Sequence, residues 1–178
     1  MKISKLQCLV FMALCCSMGI FAKKLIAPVA NMITDFLRIP GGIGTGFSLM
    51  FLVIAAVFVR KPSAAALMGA VQSVIAVFLG TVGSMGALAP IGYIIPGIVI
   101  DTVIFVFGKM KLSRTEIMII ANSLGAASAS VTANFIVFGL RGVVLVLYLC
   151  VSLLFGALFG FLGSVIAKRL EPVFRKGN

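Results

Sequence analysis

An aspartate within an apolar segment is the residue of this chain best placed to do chemistry. Asp101 lies near the middle of residues 88–107, an uninterrupted apolar run long enough to cross a lipid bilayer. A carboxylate at the bilayer centre costs about 3 kcal/mol on insertion scales, so such residues usually face a protein interior, a partner charge or a ligand. Asp101 is therefore the first ligand-binding candidate, and the alternative is that it bonds a neighbouring helix for packing alone.

Three other residues share a helix face with Asp101. A spacing of four places Ala89, Tyr93, Gly97 and Asp101 in one stripe. Tyr93 offers a ring and a hydroxyl, Gly97 leaves room, and Asp101 adds a negative charge at one end. Pro96 frees backbone carbonyls in the same helix, a feature found near transporter binding sites. The stripe predicts a small binding site, with close helix packing at Gly97 as the alternative.

Two later apolar segments add polar side chains at helical spacing. Ser123, Ser130 and Asn134 form a seam on one helix face, which must face protein or a cavity. The first part of the seam is typical of helix packing, whereas Asn134, with Ser130 one turn before it, is the better ligand candidate. Tyr148 shares a face with Ser152 and is either a ligand contact or an anchor at the membrane interface.

Sequence motifs for catalysis are absent. The chain has no P-loop, no nucleophile elbow, no histidine and no cysteine pair at metal-ligand spacing. A single intramembrane carboxylate suits the binding of a cation or a donor-rich ligand better than acid–base catalysis, which commonly needs two tuned groups. We therefore expect neither an enzyme, nor a metal site, nor a cofactor.

The composition indicates an integral membrane protein that must position these residues on helices. Of 178 residues, 62% are hydrophobic and 11% are charged, and the mean hydropathy is +1.26. Continuous apolar runs predict spanning helices rather than the alternating strands of a barrel. We expect one all-α domain over residues 1–178 with six spans. These are residues 6–22, 46–59, 63–79, 88–107, 117–138 and 143–167.

The basic residues predict an orientation with both termini in the cytoplasm. Eleven of the 15 Lys and Arg residues then lie inside, against an outer set of Lys23, Lys24, Arg38 and Arg141. The net charge of +11 is explained by this orientation in the plasma membrane and by contact with anionic lipid, without nucleic acid. A cleaved signal peptide is the alternative for the first segment, although Ile20 and Ala22 do not make a small-x-small cleavage site.

The longest outer segment, residues 23–45, mixes apolar, charged and turn-forming residues. Long segments between elements of compact proteins are often functional. Two structures fit the composition equally. One is a lid that folds back over a site, and the other is an interfacial half-helix that ends in a glycine-rich turn.

The chain resembles the substrate-binding S components of energy-coupling factor (ECF) vitamin transporters. Residues 55–65 read Ala-Ala-Val-Phe-Val-Arg-Lys-Pro-Ser-Ala-Ala, and the fourth span carries an acid after a glycine. This pattern is similar to the branch for thiamine or its hydroxymethylpyrimidine precursor, in which an Arg-Lys-Pro-Gly-Ala-Ala turn and a glutamate occupy the like positions. Here Ser63 replaces the glycine and Asp101 the glutamate.

The resemblance implies a high-affinity vitamin binder, with its ligand enclosed by the first loop and the outer halves of helices four to six. It also implies a coupling subunit in the membrane, two ATPase subunits, and transport by toppling of the binding subunit. Docking would use small residues spaced four apart on the first helix, here Ala13 and Ser17. Because tryptophan is absent, Tyr93, Tyr148 or Phe36 would stack on a thiamine-like ligand.

Two other classes of function fit the same residues. A stand-alone secondary transporter or channel would use Asp101 to bind a cation, and it predicts uptake without ATPases. A membrane scaffold would use Asp101 for packing alone, and it predicts no ligand. If Asp101 is a ligand group, Asp101→Ala should abolish binding and leave the protein folded.

Overall fold

The computed structural model describes residues 5–37, 43–59, 61–80, 86 and 88–176, and these residues contain six α-helices and no β-strand. A six-residue π-helical turn, Thr132–Val137, continues α5. The helices are α1 (Lys5–Leu37), α2 (Ile43–Val59), α3 (Ala64–Phe78), α4 (Ala89–Phe107), α5 (Arg114–Val131) and α6 (Val143–Lys176).

The second helix is the centre of the bundle. Its sequence is apolar on every face, apart from small hydroxyl residues near its start, which is the pattern of a helix surrounded by others. Residues 52–59 are all buried, and Leu52 and Ala55 are fully enclosed. α2 contacts each of the other five helices, which form an arc around it in the order α1, α3, α4, α5, α6. The outer faces of this arc carry the exposed apolar side chains.

Within the described residues, four helices are long and apolar enough to cross a membrane. They cover Leu6–Ala30, Ala89–Phe107, Arg114–Ile136 and Val143–Pro172, while α2 and α3 contain shorter apolar helices. The outward face of α1 is typical of a lipid-facing surface, because large apolar side chains are exposed along it. These include Leu6, Leu9, Leu14, Met18, Phe21 and Leu25. The all-helical architecture and the apolar faces fit a membrane protein.

The described part of residues 23–45 is helical rather than a loop. α1 continues for 33 residues to Leu37 with Pro28 inside it, and α2 begins at Ile43. Pro28 does not end the helix, and α1 extends well beyond the apolar run that predicted its end at residue 22. Residues 38–42 of the predicted lid lie outside the described residues.

The fifth helix begins three residues before its predicted start. Ser113 accepts a hydrogen bond from the backbone N–H of Glu116, whose carboxylate accepts one in return from the N–H of Ser113. This reciprocal capping box satisfies two backbone donors at the helix start. Arg114 therefore lies in the first turn of α5.

Candidate functional site

Asp101 caps the start of the third helix. Its Oδ1 accepts a hydrogen bond from the backbone N–H of Ala65 at 3.0 Å, and its Oδ2 accepts one from Ala66 at 2.8 Å. The first N–H groups of a helix have no partner within it, and their positive end favours a carboxylate. Ser63, the residue in the usual capping position, gives no side-chain cap. An aspartate on α4 therefore supplies the cap that the sequence of α3 lacks.

The cap lies towards what we term the basic end of the bundle, defined by Lys61, Lys109 and Arg114. Asp101 and these three cations line an open groove of about 670 Å³ between α2, α4 and the start of α5. Arg114 pairs with Glu171 at 3.4 Å, and its guanidinium lies 4.5 Å from the centre of the Phe58 ring. Both oxygens of Asp101 thus accept hydrogen bonds from backbone N–H groups, and the other charged residues that line the groove are cations.

Gly97 is a point of helix contact. A Cβ atom built on Gly97 would lie 2.6 Å from the carbonyl oxygen of Ala65 and 2.8 Å from the Cα of Ala66. Distances under 3.0 Å to backbone atoms leave no room for a side chain, so the backbones of α3 and α4 touch here. Gly97 allows the close approach that brings Asp101, one turn further on, to the two N–H groups.

A second cavity lies towards the opposite end of the bundle, which we term the tyrosine end after Tyr93 and Tyr148. This Ser152 cavity has a volume of about 170 Å³ and lies between α2, α5, the π-helical turn and α6. Its lining combines small residues with hydroxyl and amide groups. The lining residues are Thr45, Ala126, Ala129, Ser130, Ala133, Asn134, Tyr148 and Ser152.

The Ser152 cavity contains a buried polar group without a partner. The side chain of Ser152 is 1% exposed, and its Oγ makes no hydrogen bond in the structure. A hydroxyl buried in this way costs roughly 1–3 kcal/mol, so a native structure usually supplies a water or a ligand. Ser152 therefore marks the Ser152 cavity as a place where a polar molecule would gain a hydrogen bond.

The π-helical turn positions the amide of Asn134 at the same cavity. Asn134 Nδ2 donates to the carbonyl oxygen of Ser130 at 2.9 Å and lies 3.1 Å from Ser130 Oγ. Single π-helical turns are frequent at functional sites because the extra residue redirects the side chains that follow it. Asn134 is thus held by its own helix and lines the cavity.

A smaller pocket adjoins the Ser152 cavity and contains a lysine. This Lys23 pocket, about 20 Å³, shares Thr45 and Ala129 with the larger cavity, and Lys23 and Tyr93 also line it. The Nζ of Lys23 lies 3.1 Å from the Tyr93 hydroxyl and 4.3 Å from the centre of its ring. A cation thus lies beside the cavity, stabilised by an aromatic ring.

Asn122 is a buried amide that sequence reasoning missed. It is 0% exposed, and its Nδ2 donates to the carbonyl oxygens of Gly46 at 3.1 Å and Gly156 at 2.8 Å. These bonds connect α5 to α2 and α6, where Gly156 brings α6 against the backbone of α5 at Ser123. The sequence feature that indicates it is a lone amide in an apolar helix, next to Ser123 of the serine seam.

The structure divides the predicted site residues into separate groups. Ser130, Asn134 and Tyr148 come together at the Ser152 cavity, and Tyr93 lies at the adjoining Lys23 pocket. Gly97 and Asp101 belong instead to the contact between α3 and α4. The remaining three lie on α1 at exposed positions, namely Phe36, Ala13 and Ser17.

Several lining residues were not predicted as ligand contacts, among them Thr45, Ser152 and Lys23. Thr45 lies in the first turn of α2, Ser152 appeared only as a neighbour of Tyr148, and Lys23 counted only towards membrane orientation. Helical spacing relates residues of one helix, whereas each of these cavities is lined by residues of several helices. No pattern within one segment could have grouped them.

Comparison of the chain with protein-family models, curated proteins and solved structures found no match.

Proposed function

We propose that this chain is the membrane-embedded substrate-binding subunit of an importer, an S component of an ECF vitamin transporter, for thiamine or its pyrimidine precursor. In this proposal the six helices all lie in the plasma membrane, both termini are cytoplasmic, and the tyrosine end faces outwards. The proposal rests on the residue pattern of the sequence together with one structural observation.

The observation that carries the proposal is the Ser152 cavity. It combines a small volume, polar groups from several helices and the unpaired Oγ of Ser152 within an otherwise apolar bundle. Ligand sites typically combine an apolar lining with a few well-placed polar groups. Its position among α5, α6 and the start of α2 agrees with the outer-half site that the family resemblance implies.

The turn that carries the family resemblance also forms a coherent structural unit. Ser63 has a φ of +66°, a left-handed conformation that suits glycine. The family that the chain resembles has glycine at the corresponding position. Ala65 and Ala66 donate their N–H groups to Asp101. The turn and the intramembrane acid are thus parts of one capped corner, which supports the resemblance while moving the proposed ligand away from Asp101.

An ATP-driven importer needs partners, and the first helix offers a surface for a coupling subunit. Ala13 and Ser17 are both exposed, with the Ser17 hydroxyl bonded to the Ala13 carbonyl oxygen at 3.0 Å. Small residues spaced four apart allow a second helix to approach closely. In the proposed complex this coupling subunit would connect the chain to two ATPase subunits, because the chain has no nucleotide motif.

The proposal is tested by identifying the bound molecule. Native mass spectrometry of the gently purified protein, followed by titration with a vitamin panel, should detect one vitamin-sized ligand. Ser152→Ala should weaken its affinity by about 10-fold, because one hydrogen bond of roughly 1–1.5 kcal/mol is lost. The same change should leave the free energy of unfolding unchanged or slightly higher, since it removes an unpaired hydroxyl.

Ser164→Ala is the matched control for this experiment. Ser164 is also a buried serine of α6, 2% exposed, but its hydroxyl donates to the carbonyl oxygen of Phe161 and it does not line the cavity. It should leave ligand affinity unchanged. No binding of any vitamin, or equal loss of affinity in the two variants, would exclude the proposed site.

One observation favours a second candidate function. The carboxylate of Asp101 is bonded to backbone, as a membrane scaffold would require, and the scaffold predicts a protein without a small-molecule ligand. Uptake measurements in reconstituted vesicles distinguish an importer from a scaffold and from a stand-alone transporter. Uptake that requires coupling and ATPase subunits supports the importer, whereas uptake by the chain alone supports the secondary transporter.

A further inference from the structure

The charge of Lys23 beside the Ser152 cavity indicates which ligands the site selects. This inference rests on the proposed function. We infer that the site selects a single-ring ligand that is uncharged or anionic, with a hydrogen-bond acceptor directed at Lys23. It therefore discriminates against cationic, two-ring thiamine.

The only charged side chain that lines either tyrosine-end cavity, among the residues the structure describes, is Lys23. Its ammonium group faces the hydroxyl and the ring of Tyr93, and within the described residues it has no carboxylate partner. In surroundings of low dielectric constant, an uncompensated cation repels a second cation and attracts an acceptor or an anion.

The intramembrane carboxylate is too distant to reverse this preference. Asp101 lies eight residues after Tyr93 on the same helix, which places it about 12 Å further along the axis. Its two oxygens accept hydrogen bonds from Ala65 and Ala66. The Glu116 and Glu171 carboxylates lie still further towards the basic end, at the start of α5 and near the end of α6.

The size of the cavity points to one ring. Its volume of about 170 Å³ is close to that of an engineered cavity which holds a single benzene, whereas drug-sized ligands occupy roughly 300–1,000 Å³. Ser152, Asn134 and Tyr148 supply hydroxyl and amide groups around the ring. Lys23 lines the adjoining pocket, which shares Thr45 and Ala129 with this cavity, so a neutral or anionic substituent on that side of the ring would face Lys23.

Three probes separate charge from size in a titration of the purified full chain. They are thiamine, a two-ring cation; hydroxymethylpyrimidine, a neutral single ring; and its phosphate ester, a single-ring anion. Both pyrimidines should bind at least about 10-fold more tightly than thiamine. Lys23→Gln should weaken binding of the phosphate ester by about 10- to 100-fold, the effect of losing a charged hydrogen bond, and Lys23→Arg should restore most of it.

Lys24→Gln is the matched control, because it removes the same charge from the next residue, which is exposed and lines neither cavity. Its affinities should equal those of the unchanged protein. Thiamine binding as tightly as the pyrimidines, or equal effects of the two glutamine variants, would overturn the inference and leave the proposed function standing. Failure of all three probes to bind would instead overturn the proposed function, and the inference with it.

Discussion

Asp101 and Ser152 are two of the polar residues carried by the apolar helices, and their hydrogen-bond surroundings differ. Asp101, towards the basic end, has both oxygens bonded to backbone N–H groups at the start of α3. Ser152, at the tyrosine end, is almost fully buried and its hydroxyl has no partner. The charged group is satisfied by the fold, whereas the neutral group is left for something else to satisfy.

This difference shows that chemical type alone does not distinguish a structural polar residue from a ligand contact. A carboxylate is the costlier group to bury, so the fold has to supply its partners before any ligand arrives. Burying one unpaired hydroxyl costs roughly 1–3 kcal/mol, which a folded protein can tolerate until a ligand supplies the missing hydrogen bond. The bonds to backbone thus indicate a structural role for Asp101, whereas Ser152 belongs to the candidate site because its unpaired hydroxyl lines a cavity.

The largest expected effect comes from removing the carboxylate of Asp101. Asp101→Ala should lower the free energy of unfolding by about 3 kcal/mol, since it leaves two N–H groups of α3 unpaired and removes bonds to a charged acceptor. Thermal unfolding in detergent measures the change. Thr102→Ala is the control, because the Thr102 hydroxyl bonds only the Ile98 carbonyl oxygen of its own helix.

The opposite result would break the comparison between the two ends. If Asp101→Ala unfolds at the same temperature as the unchanged protein but no longer binds ligand, the carboxylate is a ligand group, as the sequence alone predicted.

A smaller effect is expected at Asn122, whose amide connects three helices. Asn122→Ala should lower the free energy of unfolding by about 2 kcal/mol, because two hydrogen bonds are lost and a small void is left. Ser128→Ala, which removes a bond to Gly125 within α5, is the control. Equal stability of both variants would show that the amide is not a structural connection.

The smallest effect is expected at the corner before α3. Ser63→Gly should raise the free energy of unfolding by up to about 1 kcal/mol, because glycine adopts the φ of +66° without steric cost. The net gain is limited by the larger backbone entropy of glycine in the unfolded chain. Ser63→Val should have the reverse effect, and a lower unfolding temperature for the glycine variant would contradict the assigned backbone strain.

Several features of the fold were predictable because they depend on local composition. The fourth helix begins within one residue of its predicted start and ends at Phe107 as expected, because the apolar run covers it; Pro90 lies in its first turn and Gly108 follows its last residue. Gln72, an amide within the apolar α3, donates to the carbonyl oxygen of Cys16 on α1, as a polar group in an apolar helix needs a partner on a neighbouring helix. The extension of α1 to Leu37 was missed, because hydropathy reports where a helix leaves the apolar region rather than where its hydrogen bonds end.

The candidate site was only partly predictable. Spacing on α5 selected Ser130 and Asn134, and a shared face on α6 selected Tyr148, so one side of the Ser152 cavity was found. Thr45 and Lys23 come from other helices, and nothing in their own segments indicates that they approach this seam. The π-helical turn that directs Asn134 also has no sequence signal of the kind that glycine or proline provides.

The sequence by itself determined that the chain forms apolar helices, because 62% hydrophobic content in continuous runs cannot be accommodated by a water-soluble domain. It also determined that a carboxylate would lie among those helices and would need partners. Only the tertiary structure decided that the partners are the N–H groups of Ala65 and Ala66, and that the Ser152 hydroxyl faces a cavity without a partner. Hydrogen-bond partners from different helices are set by how those helices pack, and packing is a property of the whole bundle rather than of any one segment.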